Sequence, residues 1–336
     1  MRYAAFIPSE TRRHLPHRTG RRATRELTKM KGTTKVASAI RSTEARNPNT
    51  VDIDRWSSAR IITALLAEDA GAVEAAIAAT SALADAVDRA LEQIAQGGRV
   101  HYFGAGASGR LSMLDATESA PTFGTTPGLF TAHFPGGEPA IMDSSLDYED
   151  AEAMGYQDAE TVRSRDVVVG ITASGTTKYV RGALTRAGNI GALTVLVACT
   201  EGAPLAALAD VTVVADTGPE AIAGSTRLKA GTATKLLLNA FSTTLMVRAG
   251  RTYSNLMINL TATNDKLNTR AVQIIEMATS WNSVDSAAAL ARAGNDLPLA
   301  LLHSLSDRPV DECRRALLTT GTVRAALETL TSRYAD

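Results

Sequence analysis

The chain has 336 residues, of which 45% are hydrophobic, 21% charged and 4% aromatic, proportions typical of a globular protein whose apolar runs are too short to span a membrane. The formal net charge is zero, but residues 1–40 hold ten lysines and arginines against two acids. The rest of the chain has 25 basic and 33 acidic residues, a balance of −8, which argues against broad nucleic-acid binding.

Residues 1–41 lack hydrophobic periodicity and are predicted to be a disordered basic tail. The tail has no apolar core of the kind found in secretory signals. Its arginine-rich, acid-poor composition is also compatible with an organelle transit peptide, and a start codon annotated upstream of the true one is a further alternative.

A domain is predicted over residues 42–280, with a small helical module over 281–336. A polar turn at 42–54 precedes a helical pattern from Arg55 and an alanine-rich helix over 70–96. Apolar strands then alternate with helices, which predicts an α/β fold: a three-layer α-β-α sandwich around a parallel five-stranded sheet. The predicted strands are 100–103, 129–134, 166–172, 193–198 and 211–214, and the predicted helices are 108–118, 146–153, 177–187, 204–209 and 228–249.

The stretch 100–124 is the most informative, because it reads as a strand, a glycine-rich turn and a helix. The turn GAGASG contains Gly106, Ala107 and Ser108, and its glycines let the backbone approach an anion closely. Ser108 is expected to cap the helix and to donate a hydroxyl. The turn lacks a Walker lysine and the full dinucleotide spacing, so it predicts either a phosphate site or a βα turn without a ligand.

A second turn of this kind follows the third predicted strand. Ser174, Gly175, Thr176 and Thr177 bring hydroxyls and amides to the start of a helix, which suits an anion but also suits ordinary helix capping.

A third segment, GPEAIAGSTRLKAGTATK at 218–235, combines glycines, hydroxyls and cations. Glu220, Ser225, Arg227 and Lys229 are predicted to line a site, with a solvated charged face as the alternative.

Two carboxylates draw attention. Glu118 is predicted at the end of a helix that Pro121 stops, where a carboxylate is unfavourable by roughly 0.3–1 kcal/mol. Glu149, in LDYED, reads by itself as surface charge. The histidines and the two cysteines show no metal-ligand spacing, so no metal site is predicted, and Cys199 is expected to be a buried thiol.

Taken together, the three segments resemble the N-acetylmuramic acid 6-phosphate etherases, as do TEARNPNTVDID and NLMINLTATNDKL. The resemblance covers about residues 43–270, and segment 218–235 matches a signature that these etherases share with the glucokinase regulatory protein. It implies a sugar isomerase (SIS) domain, an α-β-α sandwich that binds phosphosugars.

The resemblance also implies a cofactor-free lyase that converts N-acetylmuramate 6-phosphate into N-acetylglucosamine 6-phosphate and D-lactate. Ring opening unmasks an aldehyde that acidifies C2–H, the lactyl ether at C3 is eliminated, and water adds back. By position in the family motif, Glu118 is the implied proton donor and Glu149 the implied base. A donor must stay protonated, so we expect Glu118 to be buried. The implied phosphosugar ligands are Gly106, Ala107, Ser108, Ser174, Gly175, Thr176, Thr177, Glu220, Ser225, Arg227 and Lys229.

The sequence departs from the family pattern at Ala107, where threonine is frequent, and at Ser119-Ala120, where Cys-Pro is common. It also has Thr176-Thr177-Lys178 in place of Arg-Thr-Pro, which removes a loop arginine.

Two alternatives remain at this point: a non-catalytic phosphosugar sensor and an aldose–ketose phosphate isomerase. The expected partner is a phosphorylated amino sugar, with no nucleic acid and no membrane. A homodimer, a cytoplasmic location and a role in peptidoglycan recycling complete the expectations.

Overall fold

The computed structural model describes residues 42–259 and 265–332, which fall within one compact unit. The predicted basic tail lies outside the described residues, as do part of the asparagine-rich segment and residues 333–336.

Five strands and twelve α-helices make up the regular structure of the described residues. In chain order they are α1 Ser58–Ala78, α2 Thr80–Ala95, β1 Val100–Gly104, α3 Gly106–Phe123, β2 Phe130–His133, α4 Gly137–Met142, α5 Glu152–Asp158, β3 Val167–Ile171, α6 Lys178–Asn189, β4 Leu193–Ala198, β5 Val211–Val214, α7 Lys229–Arg248, α8 Asp265–Ala278, α9 Ser283–Arg292, α10 Leu297–Ser306, α11 Val310–Thr320 and α12 Val323–Ser332.

The sheet has the order β2-β1-β3-β4-β5 and every neighbouring pair is parallel. All residues of β1, β3 and β4 are buried, which explains why these strands read as continuous apolar runs rather than alternating ones. The predicted five-stranded parallel sheet is confirmed.

Helices cover both faces of the sheet, so the predicted three-layer sandwich is also confirmed. Val167, Val169 and Ile171 of β3 join a core built with α1, α2, α3 and α7, whereas Val168 joins the opposite core with α5 and α6. Cys199 is fully buried and its thiol is free, as expected.

Helix α3 is longer than predicted, because it passes through Pro121 and ends at Phe123. A proline inside a helix removes one N–H donor. That loss is offset at the next turn, where Phe123 packs into the core and Gly124, at φ 57°, donates its N–H to the Ala120 carbonyl at 2.9 Å. The prediction that Pro121 stops this helix is therefore wrong.

Two other helices also differ from the prediction. The single helix over 70–96 is instead α1 and α2, which meet at Ala79, where the Thr80 hydroxyl donates to the Ile77 carbonyl. The helix over 146–153 is replaced by a non-helical segment that lasts until α5. In that segment Asp143 and Asp147 each accept the backbone N–H two residues later, and such local bonds compete with helix formation.

Helices α8 to α12 build a third apolar cluster around Ile275, Leu302 and Cys313. This cluster also includes Ile258, which precedes the predicted boundary, so the division at residue 280 stays a prediction. No helix within 42–259 and 265–332 is both long enough and apolar enough to cross a lipid bilayer.

Two histidines lie against each other in the sheet. His101 Nδ1 is 3.0 Å from His133 Nε2, and His101 Nε2 is 3.4 Å from the Asp166 carboxylate. Burial lowers the pKa of His101 despite that carboxylate. Burial, assisted by the nearby His101, lowers the pKa of His133 to about 4. Both rings are therefore neutral in the native protein at pH 7.

Because the two histidines are buried and neutral, we expect the folded protein to lose stability in mild acid. The unfolded chain binds a proton on His133 below about pH 6.5, while the native protein resists it until about pH 4. The free energy of unfolding should therefore fall as pH drops through this window, by up to about 1.4 kcal/mol per pH unit for this group. Urea unfolding at pH 7.5 and pH 5 measures it. His133→Gln should flatten the dependence, and an unchanged slope in that variant would contradict the assignment.

Candidate functional site

The strand order opens a crevice between β1 and β3. Helix α3, which follows β1, packs on one face of the sheet, and α6, which follows β3, packs on the other. The two connecting turns therefore diverge at the carboxyl ends of adjacent strands, which is where ligands bind in open α/β sheets. Both glycine turns singled out in the sequence lie here.

The first turn brings the start of α3 tightly against β1. A Cβ on Gly104 would lie 2.9 Å from the Gly109 nitrogen, and one on Gly109 would lie 2.4 Å from the Gly104 carbonyl oxygen. Gly106 has φ +54° and is exposed at the turn. Side chains larger than hydrogen would push helix and strand apart, so the glycines fix this geometry.

The amino end of α3 is uncapped. Helix α3 begins at Gly106, so Ala105 is the N-cap and Ser108 lies inside the first turn. The expectation that Ser108 caps the helix is therefore wrong, because the turn enters the helix two residues earlier. Within residues 42–259 and 265–332, the Ser108 hydroxyl has no hydrogen-bond partner, and it stands beside backbone N–H groups that favour an anion.

The second turn holds a network of hydroxyl groups. The Ser174 and Thr176 hydroxyls are 2.9 Å apart, and the Thr172 and Thr177 hydroxyls are 2.8 Å apart. Gly175 lies between them with φ +70°. Ser174 and Thr176 are half-buried and stay available to a ligand, whereas Thr177 is 6% exposed.

Glu149 is held beside this second turn by three hydrogen bonds. Its carboxylate accepts from the Thr177 hydroxyl at 2.9 Å, its carbonyl accepts from the Tyr179 N–H at 3.0 Å, and its own N–H donates to Asp147 at 3.0 Å. The side chain remains exposed to solvent. The sequence alone indicates a surface charge at Glu149, whereas the structure shows that hydrogen bonds hold this residue at the crevice.

Two small cavities adjoin at Glu149. One has a volume of about 210 Å³ and is lined by residues that include Gly106, Arg110 and Glu149. The other has about 270 Å³ and includes Thr176, Thr177 and Glu149. They share Asp147 and Glu149, so the cleft runs from the first turn to the second. A cavity of about 600 Å³ at the amino end of β4 is larger, but neither glycine turn lines it.

Arg110 is a cleft residue that the sequence reasoning missed. Its Nε donates to the Ile141 carbonyl at 2.8 Å, and its guanidinium carbon lies 5.3 Å from the Phe134 ring centre. It thereby ties α3 to the end of α4 and supports the wall that leads to Glu149. The signal was present in the sequence, since Arg110 directly follows the GAGASG turn.

Glu118 and Glu149 line no common cavity of the cleft within one chain. Glu118 is exposed on α3 and lines neither cavity of the cleft. It lies twelve residues beyond Gly106, which is about 18 Å along the helix axis at the usual rise per residue. The expectation of a buried Glu118 at a helix terminus is wrong for the single chain, because α3 continues to Phe123 and Glu118 lies on its solvent-exposed side.

The third segment makes contacts away from the cleft. Glu220 is fully buried and accepts the N–H groups of Lys229 and Ala230, so its carboxylate occupies the amino end of α7. The Lys229 ammonium donates to Glu68 at 2.6 Å. Ser225 and Arg227 do not line the cleft. Roles for these four residues in substrate binding stay predictions.

No group of three or more His, Cys, Asp or Glu side chains in residues 42–259 and 265–332 is arranged to hold a metal ion.

Comparison with known proteins gives a consistent result. The glucokinase regulatory protein N-terminal SIS domain matches residues 82–188, and the SIS domain matches residues 143–244. The N-acetylmuramic acid 6-phosphate etherase of Thermobifida fusca is 50% identical over 264 residues, 79% of this chain and 87% of the relative. The etherases of Rubrobacter xylanophilus and Brucella anthropi are 42% and 41% identical, covering 85% and 83% of this chain and 95% and 91% of their own lengths. On this evidence the chain belongs to the N-acetylmuramic acid 6-phosphate etherase family.

Proposed function

We propose that the chain cleaves the D-lactyl ether of N-acetylmuramate 6-phosphate by ring opening, C2 proton abstraction, elimination and rehydration. The reaction class follows from the family, and the products are N-acetylglucosamine 6-phosphate and D-lactate. The main support for this mechanism is the position of Glu149. The Thr177 hydroxyl holds its carboxylate in a cleft between two turns that are suited to bind an anion.

The substrate phosphate binds at the first turn. The uncapped amino end of α3 offers N–H groups and a partial positive charge, and the free Ser108 hydroxyl adds a donor. The half-buried Ser174 and Thr176 hydroxyls of the second turn contact the linear sugar or its phosphate.

Glu149 is the base that removes the C2 proton. Its carboxylate is accessible in the cleft that also contains Gly106, which puts it within the cavity that the carbon chain of a sugar anchored at the first turn would enter. Proton transfer by a positioned carboxylate accelerates a reaction roughly 10²–10⁴-fold. The α-hydrogen becomes acidic because ring opening places an aldehyde at C1.

Glu118 of a second copy of the chain is the acid that protonates the departing lactate oxygen. Its distance from the turn within one chain favours a site completed by a partner subunit. Leu114, one turn before Glu118, is 53% exposed, and α1 exposes Ile62 and Leu66, so apolar surface is available for a homodimer interface.

The reaction belongs to the recycling of peptidoglycan sugars in the cytoplasm. Cys199 and Cys313 are both buried free thiols, which fits a reducing compartment.

Lactate release tests the reaction and both glutamates. The wild-type chain should release D-lactate from N-acetylmuramate 6-phosphate without added metal or nucleotide. Glu118→Gln and Glu149→Gln should each lower kcat at least about 100-fold, because each removes one proton transfer. The matched control Glu160→Gln, at an exposed glutamate outside the cleft, should be unaffected. Substrate binding without release by the wild type would support the sensor alternative, and full release by the Glu118→Gln or the Glu149→Gln variant would remove that glutamate from the mechanism.

Subunit mixing tests the origin of Glu118. Glu118→Gln and Glu149→Gln chains should each retain about 1% of kcat or less alone, but a mixed dimer with sites built across the interface has one site with both glutamates. After random exchange, about a quarter of wild-type activity should return in a two-fold symmetric dimer. If both glutamates of a site came from one chain, mixing would restore nothing.

The phosphate anchor is tested at Ser108. Ser108→Ala removes a hydrogen bond to a charged group, worth about 1.5–3 kcal/mol, so KM should rise roughly 10- to 100-fold with kcat little changed. Steady-state kinetics measure KM and kcat separately. An unchanged KM would mean that the phosphate binds elsewhere.

A further inference from the structure

Thr177 stands at the amino end of α6 without capping it. A threonine N-cap usually accepts a backbone N–H from the first turn, and the loss of that bond destabilises the helix. In α6 the Thr177 side chain makes no cap hydrogen bond, and its hydroxyl contacts Glu149 at 2.9 Å instead. Thr177 thus contacts a carboxylate in the cleft instead of capping its own helix. Such departures from local structural preference are common at functional positions.

The direction of the hydrogen bonds around Thr177 is fixed. A hydroxyl has one proton, and an ionised carboxylate can only accept, so the Thr177 proton goes to Glu149. The Thr172 hydroxyl, 2.8 Å away, must then donate to Thr177. Both threonines are buried, with exposed fractions of 2% for Thr172 and 6% for Thr177. Thr177 therefore has no proton left to give to a substrate phosphate.

Glu149 depends on this contact for its orientation. It belongs to a non-helical segment, and among the described residues Thr177 is the one side chain that hydrogen-bonds its carboxylate. The other two bonds of Glu149 hold its backbone. A free glutamate side chain samples several rotamers, and an ordered base must give up that freedom before reaction.

We propose that Thr177, supported by Thr172, is a positioning residue for Glu149 rather than a ligand of the substrate. Its hydroxyl holds one carboxylate oxygen, which leaves the other oxygen free to take the proton from C2. This inference rests on the proposed role of Glu149 as the base, and it reassigns Thr177 from the set of expected phosphate contacts.

The test replaces Thr177 with valine, which keeps the branched shape and removes the hydroxyl. Misplacement of a catalytic group by about 1 Å costs up to about 100-fold, so kcat for lactate release should fall roughly 10- to 100-fold. The Kd of the product N-acetylglucosamine 6-phosphate, which carries the phosphate, should stay within about 2-fold if the hydroxyl makes no bond to it. Thr177→Ser keeps the hydroxyl and should restore most of kcat.

The matched control is Thr194→Val. Thr194 is also a buried threonine whose hydroxyl donates to a carboxylate, Asp210 at 2.8 Å, but it lies at the amino end of β4, away from the cleft. This variant should keep wild-type kcat. An equal loss of kcat in both valine variants would point to general destabilisation and overturn the proposal.

Two further outcomes decide between positioning and binding. In a Glu149→Gln background, Thr177→Val should lower kcat no further, because the residue that it positions is already absent. A product Kd raised 10-fold or more with kcat unchanged would instead make Thr177 a phosphate ligand. Full kcat in Thr177→Val would remove it from the mechanism.

A crystal structure of Thr177→Val separates this proposal from the proposed function. The Glu149 carboxylate should leave its position beside residue 177 while the turn at 172–176 keeps its path. That result would support the positioning role even if the wild type released no lactate, and a Glu149 side chain that stayed in place would overturn it.

Discussion

The arrangement of the site depends on one topological constraint, the opposite placement of the helices that follow β1 and β3. Because these adjacent parallel strands feed α3 and α6 onto opposite faces, their connecting turns separate and leave a crevice at the carboxyl edge of the sheet. The amino ends of both helices point into it. The uncapped end of α3 offers its N–H groups to a ligand, whereas the end of α6 is engaged by Glu149.

Glycines allow the close helix packing that sets the geometry of the crevice. Helices α5 and α6 touch backbone to backbone, since a Cβ on Gly155 would lie 1.9 Å from the Tyr179 carbonyl oxygen and one on Gly182 would lie 2.0 Å from the Glu152 carbonyl oxygen. The segment that carries Glu149 leads directly into α5, so this close contact places Glu149 at the start of α6. Close packing and the position of the carboxylate thus have the same physical origin.

The two glutamates of the proposed mechanism are placed in different ways. Glu149 is ordered by contacts within its own chain, through Thr177 and Tyr179. Glu118 lies on the outward face of α3, and in the proposed mechanism a second copy of the chain surrounds it. On this account, folding prepares the base and association supplies the acid.

The sequence by itself determined the sheet and the turns, because uninterrupted apolar strands and glycine-rich turns are local patterns that burial and backbone sterics enforce. All five strands and both turns at the crevice were readable in this way, and the motifs identified the family. The tertiary structure alone decided the helix through Pro121, the non-helical path of 143–151, the buried caps made by Glu220 and the exposure of Glu118. The helix through Pro121 and the caps made by Glu220 depend on partners outside the local segment. The path of 143–151 depends on short-range side-chain bonds whose competition with helix propensity the apolar pattern does not report.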